Sequence, residues 1–153
     1  MRAAPLDITG QWAKLNDTLV ALVDCIPDDK LDWSPRDDLW NFRGIVLHTI
    51  ISRDNWLQAV VADGETAPDV LRNAQTRDGM KRELRRSWER VVRFISDPAK
   101  LSAAYEDDWD GETKQLSGHW IAFHLLEHDI HHRADIFHYL ALLGIEHPEV
   151  GTP

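Results

Sequence analysis

Apolar residues recur along this chain at steps of three and four, the spacing that puts them on one face of an α-helix. Ile8, Trp12, Leu15, Leu19, Leu22, Val23 and Ile26 form the first such stripe, and Pro27 closes it. The stretch DWSPRDDLWNF holds Pro35 and several aspartates and reads as a loop, with Asp38 or Asn41 available to cap the next helix. From there to about Val61, Phe42, Ile45, Thr49, Trp56, Leu57 and Val60 make a broad apolar stripe on a second helix that also carries His48. ADGETAPD, with Gly64 and Pro68, breaks the pattern. It resumes from Thr76 to Ile95 through Met80, Leu84, Trp88, Val91 and Ile95. After Pro98, AYEDDWDGETKQL is polar and turn-rich, either an irregular loop or a short strand pair around Asp110 and Gly111. A fourth helix runs from about Ser117 to Leu143, its end marked by Gly144 and then Pro148.

Four amphipathic segments with almost no strand-like alternation predict an all-α fold, an antiparallel four-helix bundle. At 153 residues, 43% of them hydrophobic, the chain has enough apolar surface for one core, so residues 1–153 are expected to form a single domain. Proline-bearing loops and the lack of a sustained heptad argue against a coiled coil. The fourth helix carries a surplus. Ile121, Leu125, Ile136, Tyr139 and Leu143 lie on one side, yet Leu126, Ile130 and Phe137 project on roughly the opposite one. A bundle helix buries one stripe, so the second predicts a symmetric homodimer.

Charge narrows the partners. Aspartate plus glutamate outnumber lysine plus arginine by 26 to 17, a formal net charge of -9, which disfavours nucleic acid and anionic membrane surfaces. Lys81, Arg82, Arg85, Arg86, Arg90 and Arg93 crowd the third helix all the same. They read either as a patch for an acidic ligand or, by preference, as a solvated face paired with the acidic loops. The single cysteine, Cys25, cannot form an internal disulfide, and no N-terminal targeting pattern is visible, so a cytoplasmic location is expected. Apolar runs such as IVLHTII stop well short of the roughly 20 residues that span a bilayer. Of the tryptophans, Trp12, Trp56 and Trp88 fall on core stripes, whereas Trp33, Trp40 and Trp109 sit in loops where they can cover a pocket mouth.

Histidine is the informative residue type: there are eight, five of them between His124 and His138. At 100° per residue His128 and His132 lie one turn apart, read as central in the inward stripe of the fourth helix. Two imidazoles at that spacing can converge on one metal ion, and His48, at the edge of the second helix's apolar arc, is the natural third ligand. His124 and His128 make an equally valid pair by spacing. His124, His131 and His138 otherwise read as flank, surface or interface residues. Glu127 and Asp129 are expected to project sideways, and Asp135, closer to the histidines, to hydrogen-bond a ligand nitrogen. Zinc and nickel both suit imidazole ligands.

With LHTIISRDNW in the second helix and HLLEHDIHHRADI in the fourth, the chain resembles the DinB family, which is grouped with the YfiT-like metal-dependent hydrolases. The resemblance covers nearly the whole chain. It implies an antiparallel four-helix bundle, usually dimeric, holding a divalent metal through His48, His128 and His132, and so selects His128 and His132 over His124 and His128. Arg133 matches the arginine that commonly follows the pair. The glycine and glutamine usual after it are replaced here by Ala134 and Asp135.

Three protein ligands leave a position where the ion stabilises the deprotonated form of water or a thiol. Of the two, the resemblance to the DinB family implies as first expectation thiol-dependent transfer to a small electrophilic substrate, using a low-molecular-weight thiol as cosubstrate. The alternatives are hydrolysis by metal-bound hydroxide, and a non-enzymatic metal-binding or interaction bundle whose closed site takes a fourth protein ligand such as His124. Asp135 and Tyr139 are the candidate acid and base groups, and Arg43, Arg53 or Arg133 the candidates to hold a carboxylate. Cys25 reads as a small core residue.

Overall fold

The computed structural model describes residues 7–149. Helix α1, Ile8–Cys25, starts where the Asp7 carboxylate accepts the Gly10 N–H at 2.9 Å, and the chain then passes through a short 3-10 turn, Asp28–Lys30. Helix α2, Phe42–Asn55, is capped by Asn41, whose Oδ1 accepts from Gly44 N at 2.7 Å, while Asp38 is engaged with Arg36. It continues as a wider π-helical turn, Trp56–Val60, before Ala62 turns the chain with a φ of 52°. Helix α4, Arg77–Ile95, begins at Thr76. Helix α6, Gly118–Leu142, begins at Ser117 and ends before Gly144, whose φ of 66° suits glycine.

Two short helices lie between the long ones: α3, Val70–Asn73, capped by Asp69, and α5, Pro98–Ser102, capped by Asp97. Neither is long enough to show a period. Of the two readings of 104–116, the strand pair is the one found. Strands β1, Ala104–Trp109, and β2, Glu112–Ser117, form an antiparallel hairpin around Asp110 and Gly111, both at positive φ as a tight two-residue turn requires.

The four long helices form the bundle, in the order α1, α4, α2, α6 around its axis. Polar contacts give their directions. Arg77 at the start of α4 donates to Asp24 O near the end of α1, so these two are antiparallel. Arg53 near the end of α2 meets Asp129 while His48, one turn earlier, meets His128, and Trp56 packs on Trp120. Helices α2 and α6 are therefore antiparallel neighbours, which is what joins the two histidine-bearing segments. The core between the helices includes Leu19, Leu22, Phe42, Ile50, Leu84, Val91, Ile121, Leu125 and Ile136.

The buried stripe of α6 corrects one expectation. Asp129 does not project sideways: it is fully buried, four residues after Leu125 and three before His132, at the centre of the stripe. Its carboxylate accepts from Arg53 Nη2 at 2.8 Å and from Trp12 Nε1 at 2.7 Å. Arg53, also fully buried, donates further to Asn16 Oδ1, Leu84 O and Ser87 Oγ, so one network joins all four helices. A buried ion pair persists only when its remaining donors and acceptors are satisfied, as these are. Arg53 is thereby removed from the candidates to hold a substrate carboxylate. Arg43 is occupied as well, by Asp32 and Gln75 O.

The basic residues of α4 are mostly paired with acidic groups. Lys81 meets Asp24 and Asp78, Arg86 meets Asp54 and Glu83, and Arg93 meets Glu65. Arg90 is buried between Asp54 and Asp63. On the outer side of α6, Phe123 and Ile130 are exposed, and Leu126 and Phe137 are half-buried. Among the described residues no helix is long and apolar enough to cross a membrane.

Candidate metal centre

The α2/α6 packing brings His48, His128 and His132 together, with one ligand-capable nitrogen of each within 4.8 Å of the others. His48 Nε2 and His128 Nε2 are 2.8 Å apart. That distance fits either one N–H···N hydrogen bond or two lone pairs directed at a shared ion. His132 is buried, and its Nδ1 lies 3.0 Å from Asp135 Oδ2, which leaves its Nε2 as the ring's ligand atom. His128 is half-buried at the flank of the α6 stripe facing α2, not at its centre, and its Nδ1 has no hydrogen-bond partner.

Burial holds all three imidazoles toward the neutral form. It lowers the pKa of His48 and, against the opposing pull of Asp135, that of His132. For His128, burial together with the neighbouring His132 and His48 brings the value down to about 3. Three neutral imidazoles with converging nitrogens have the protonation state and the donor chemistry that a divalent cation of the zinc or nickel kind requires. The residues fit such an ion.

Around the trio the other sequence candidates separate. Asp135 is in the site, beside both His132 and His131. Tyr139, one turn further, packs edge-on to Trp33 and Phe42, and burial raises its pKa. Arg133 is not brought in. At 100° per residue it falls on the opposite flank of α6, with Leu126 and Phe137, and burial lowers its pKa while its Nε has no partner. His124 turns toward aromatic neighbours, stacked on Trp120 at 5.2 Å and edge-on to Trp56 at 5.0 Å, and does not join the trio. Cys25 packs against the core at the end of α1, its thiol pushed up by burial and by Asp24.

The loop tryptophans divide too. Trp33 packs inward, whereas Trp40 stands over the site, its ring 4.3 Å from His48 and nearly parallel to His132 at 6.0 Å. The Trp109 side chain lies outside the described residues. Beside Trp40 and His48 opens a cleft of about 460 Å³ whose walls include Leu39, Leu47 and Ile51. Leu39, Leu47 and Ile51 were not singled out from sequence. The available signal was a second apolar pair on α2 outside the main stripe, Leu47 and Ile51 one turn apart beside His48.

The fold agrees with comparisons to known proteins. A DinB-like protein from Bacillus subtilis superposes with a TM-score of 0.69 at 19% identity, covering 96% of each chain. A DinB-like protein from Bacillus cereus gives 0.69 at 14% identity, covering 93% of this chain and 94% of that one. Comparison with curated proteins finds no match. The sequence model of the DinB family matches residues 1–153, and the chain belongs to the DinB family.

Proposed function

We propose that this protein is a metal-dependent enzyme acting on a small molecule, with His48, His128 and His132 as the protein ligands. The observation that carries the reading is the convergence of three neutral imidazoles beside an open cleft. When bound, a divalent ion of the zinc or nickel kind stabilises the deprotonated form of a thiol or water and polarises an electrophile. The chain's own residues do the rest. Asp135 accepts the His132 Nδ1–H, fixing the tautomer and the ring orientation. Tyr139, its hydroxyl held protonated by burial and by Asp135, is the proton donor on the same arc. Trp40 and the cleft walls orient the substrate and exclude water on that side. Arg133, on the far flank, has no part in this scheme.

Thiol-dependent transfer, with a low-molecular-weight thiol as cosubstrate, is the first reading of the reaction, supported by the family resemblance. One observation favours hydrolysis instead: among the described residues no lysine or arginine lines the cleft to hold an acidic cosubstrate. The second apolar stripe of α6, with Phe123 62% exposed, is assigned to a contact between two copies of the chain. The test is an assay of zinc- and nickel-loaded protein on aryl esters, aryl amides and alkylating electrophiles, with and without a small thiol. Turnover is expected to vanish on chelation and return with the metal. Thiol dependence assigns transfer and thiol independence assigns hydrolysis. Turnover that survives both chelation and loss of His128 contradicts the proposal.

A further inference from the structure

We infer that the cleft beside His48 seats an uncharged aromatic portion of the substrate, packed on Trp40 and pointed at the imidazole cluster. This rests on the metal-dependent reading above. At about 460 Å³ the cleft is in the range of small-molecule sites, and its walls are mostly apolar. Trp40 lines it while half of its surface stays open to solvent, although its contacts with His48 and His132 hold the ring in place. A fixed indole beside aliphatic walls is a platform for a flat ring, which gains from stacked or edge-on contact beyond the burial of area alone. Gly44 lines the same cleft beside Trp40.

Charge decides the rest of the class. Among the described residues the lining contains neither a carboxylate nor a lysine or arginine. The arginines nearest in sequence are committed elsewhere, Arg36 to Asp38 and Arg43 to Asp32 and Gln75 O. A carboxylate or ammonium on the seated portion would give up hydration and meet no carboxylate, lysine or arginine among those lining residues.

Zinc-loaded protein is titrated calorimetrically with four hydroxamic acids that share one metal-binding head: acetohydroxamic, cyclohexanecarbohydroxamic, naphthohydroxamic, and naphthohydroxamic acid bearing a ring carboxylate. The naphthyl compound is expected to bind at least about tenfold more tightly than the acetyl one. The cyclohexyl compound should fall between them, and the ring carboxylate should remove most of the gain. In Ile51→Trp, which fills the cleft, and in Trp40→Ala, which removes the platform, the naphthyl-to-acetyl ratio should drop below about threefold. Equal naphthyl and acetyl affinities at full zinc loading overturn this inference alone. So does a carboxylate analogue as tight as its parent, or a cyclohexyl compound as tight as the naphthyl one. A wild-type protein that takes up no zinc overturns the underlying reading and this inference with it.

Discussion

His128 is the residue whose protonation is most displaced. Around it stand His48 from α2 and His124, His131 and His132 from α6, with Asp135 beside His132. In the unfolded chain a histidine titrates near 6.5, whereas here burial and neighbouring imidazoles hold His128 at about 3. Between those values the unfolded state binds more protons, so the stability of the metal-free protein rises with pH and falls as the solution is acidified below about 6.5. The denaturant midpoint of metal-free protein is therefore expected to be lower at pH 5 than at pH 7, and His128→Asn should flatten that dependence. Parallel profiles for the two proteins would contradict it. Asp135 acts through His132, so Asp135→Asn should weaken zinc affinity by roughly 10–100-fold while leaving the denaturant midpoint of the metal-free protein nearly unchanged.

Spacing on α6 offered His124 with His128 as readily as His128 with His132, and it was the resemblance to the DinB family that selected the second pair; the structure brings that pair together with His48. The inward place of Asp129 was not legible, although the spacing Leu125, Asp129, His132 and Ile136 is itself the inward stripe. A carboxylate is placed outward by default, and only its partner, Arg53 on another helix, makes the inward position affordable. Trp40 could be flagged only as one of three loop tryptophans, since loops carry no period to say which way a ring turns.

Among the elements, the packing of α2 against α6 is the one the site depends on. Arg53 and Asp129 lie beside the site histidines in sequence, five residues after His48 and one after His128, and they join those two helices in the core. Removing one partner leaves a buried charge. Asp129→Ala is expected to cost about 3–5 kcal/mol in urea unfolding, and Arg53→Met with Asp129→Leu should recover most of it. A loss below about 1 kcal/mol would show that the pair contributes little. The start of α4 depends on a close approach: a Cβ at Gly79 would run into the carbonyl oxygen of Asn73 at the end of α3. Gly79→Ala should therefore destabilise by about 1–3 kcal/mol, read from the thermal midpoint. The long helices were readable from sequence because each repeats its apolar period for several turns. Helices α3 and α5 and the π-helical turn after Asn55 are a turn or so long, set by local caps and tertiary contact, and carry no period of their own.

For the whole molecule, the net charge of -9 is consistent with the pairing of α4's basic residues, which meet Asp24 on α1, Asp54 on α2 and Glu65 in the loop after α2. On the apolar outer side of α6, Leu126 and Phe137 pack against the core, whereas Phe123 and Ile130 leave an exposed apolar face. If it joins two copies, Phe123→Asp with Ile130→Glu should shift wild-type dimer to monomer in sedimentation velocity; a wild-type monomer at tens of micromolar contradicts that assignment. The claim on which the functional reading stands is that His48, His128 and His132 hold one metal ion. The most direct measurement is elemental analysis of protein purified without an affinity tag, for wild type and for His48→Ala, His128→Ala and His132→Ala. About one zinc or nickel per wild-type chain, largely lost in each variant, is the expected result. Full metal content in all three variants, or none in the wild type, would contradict it.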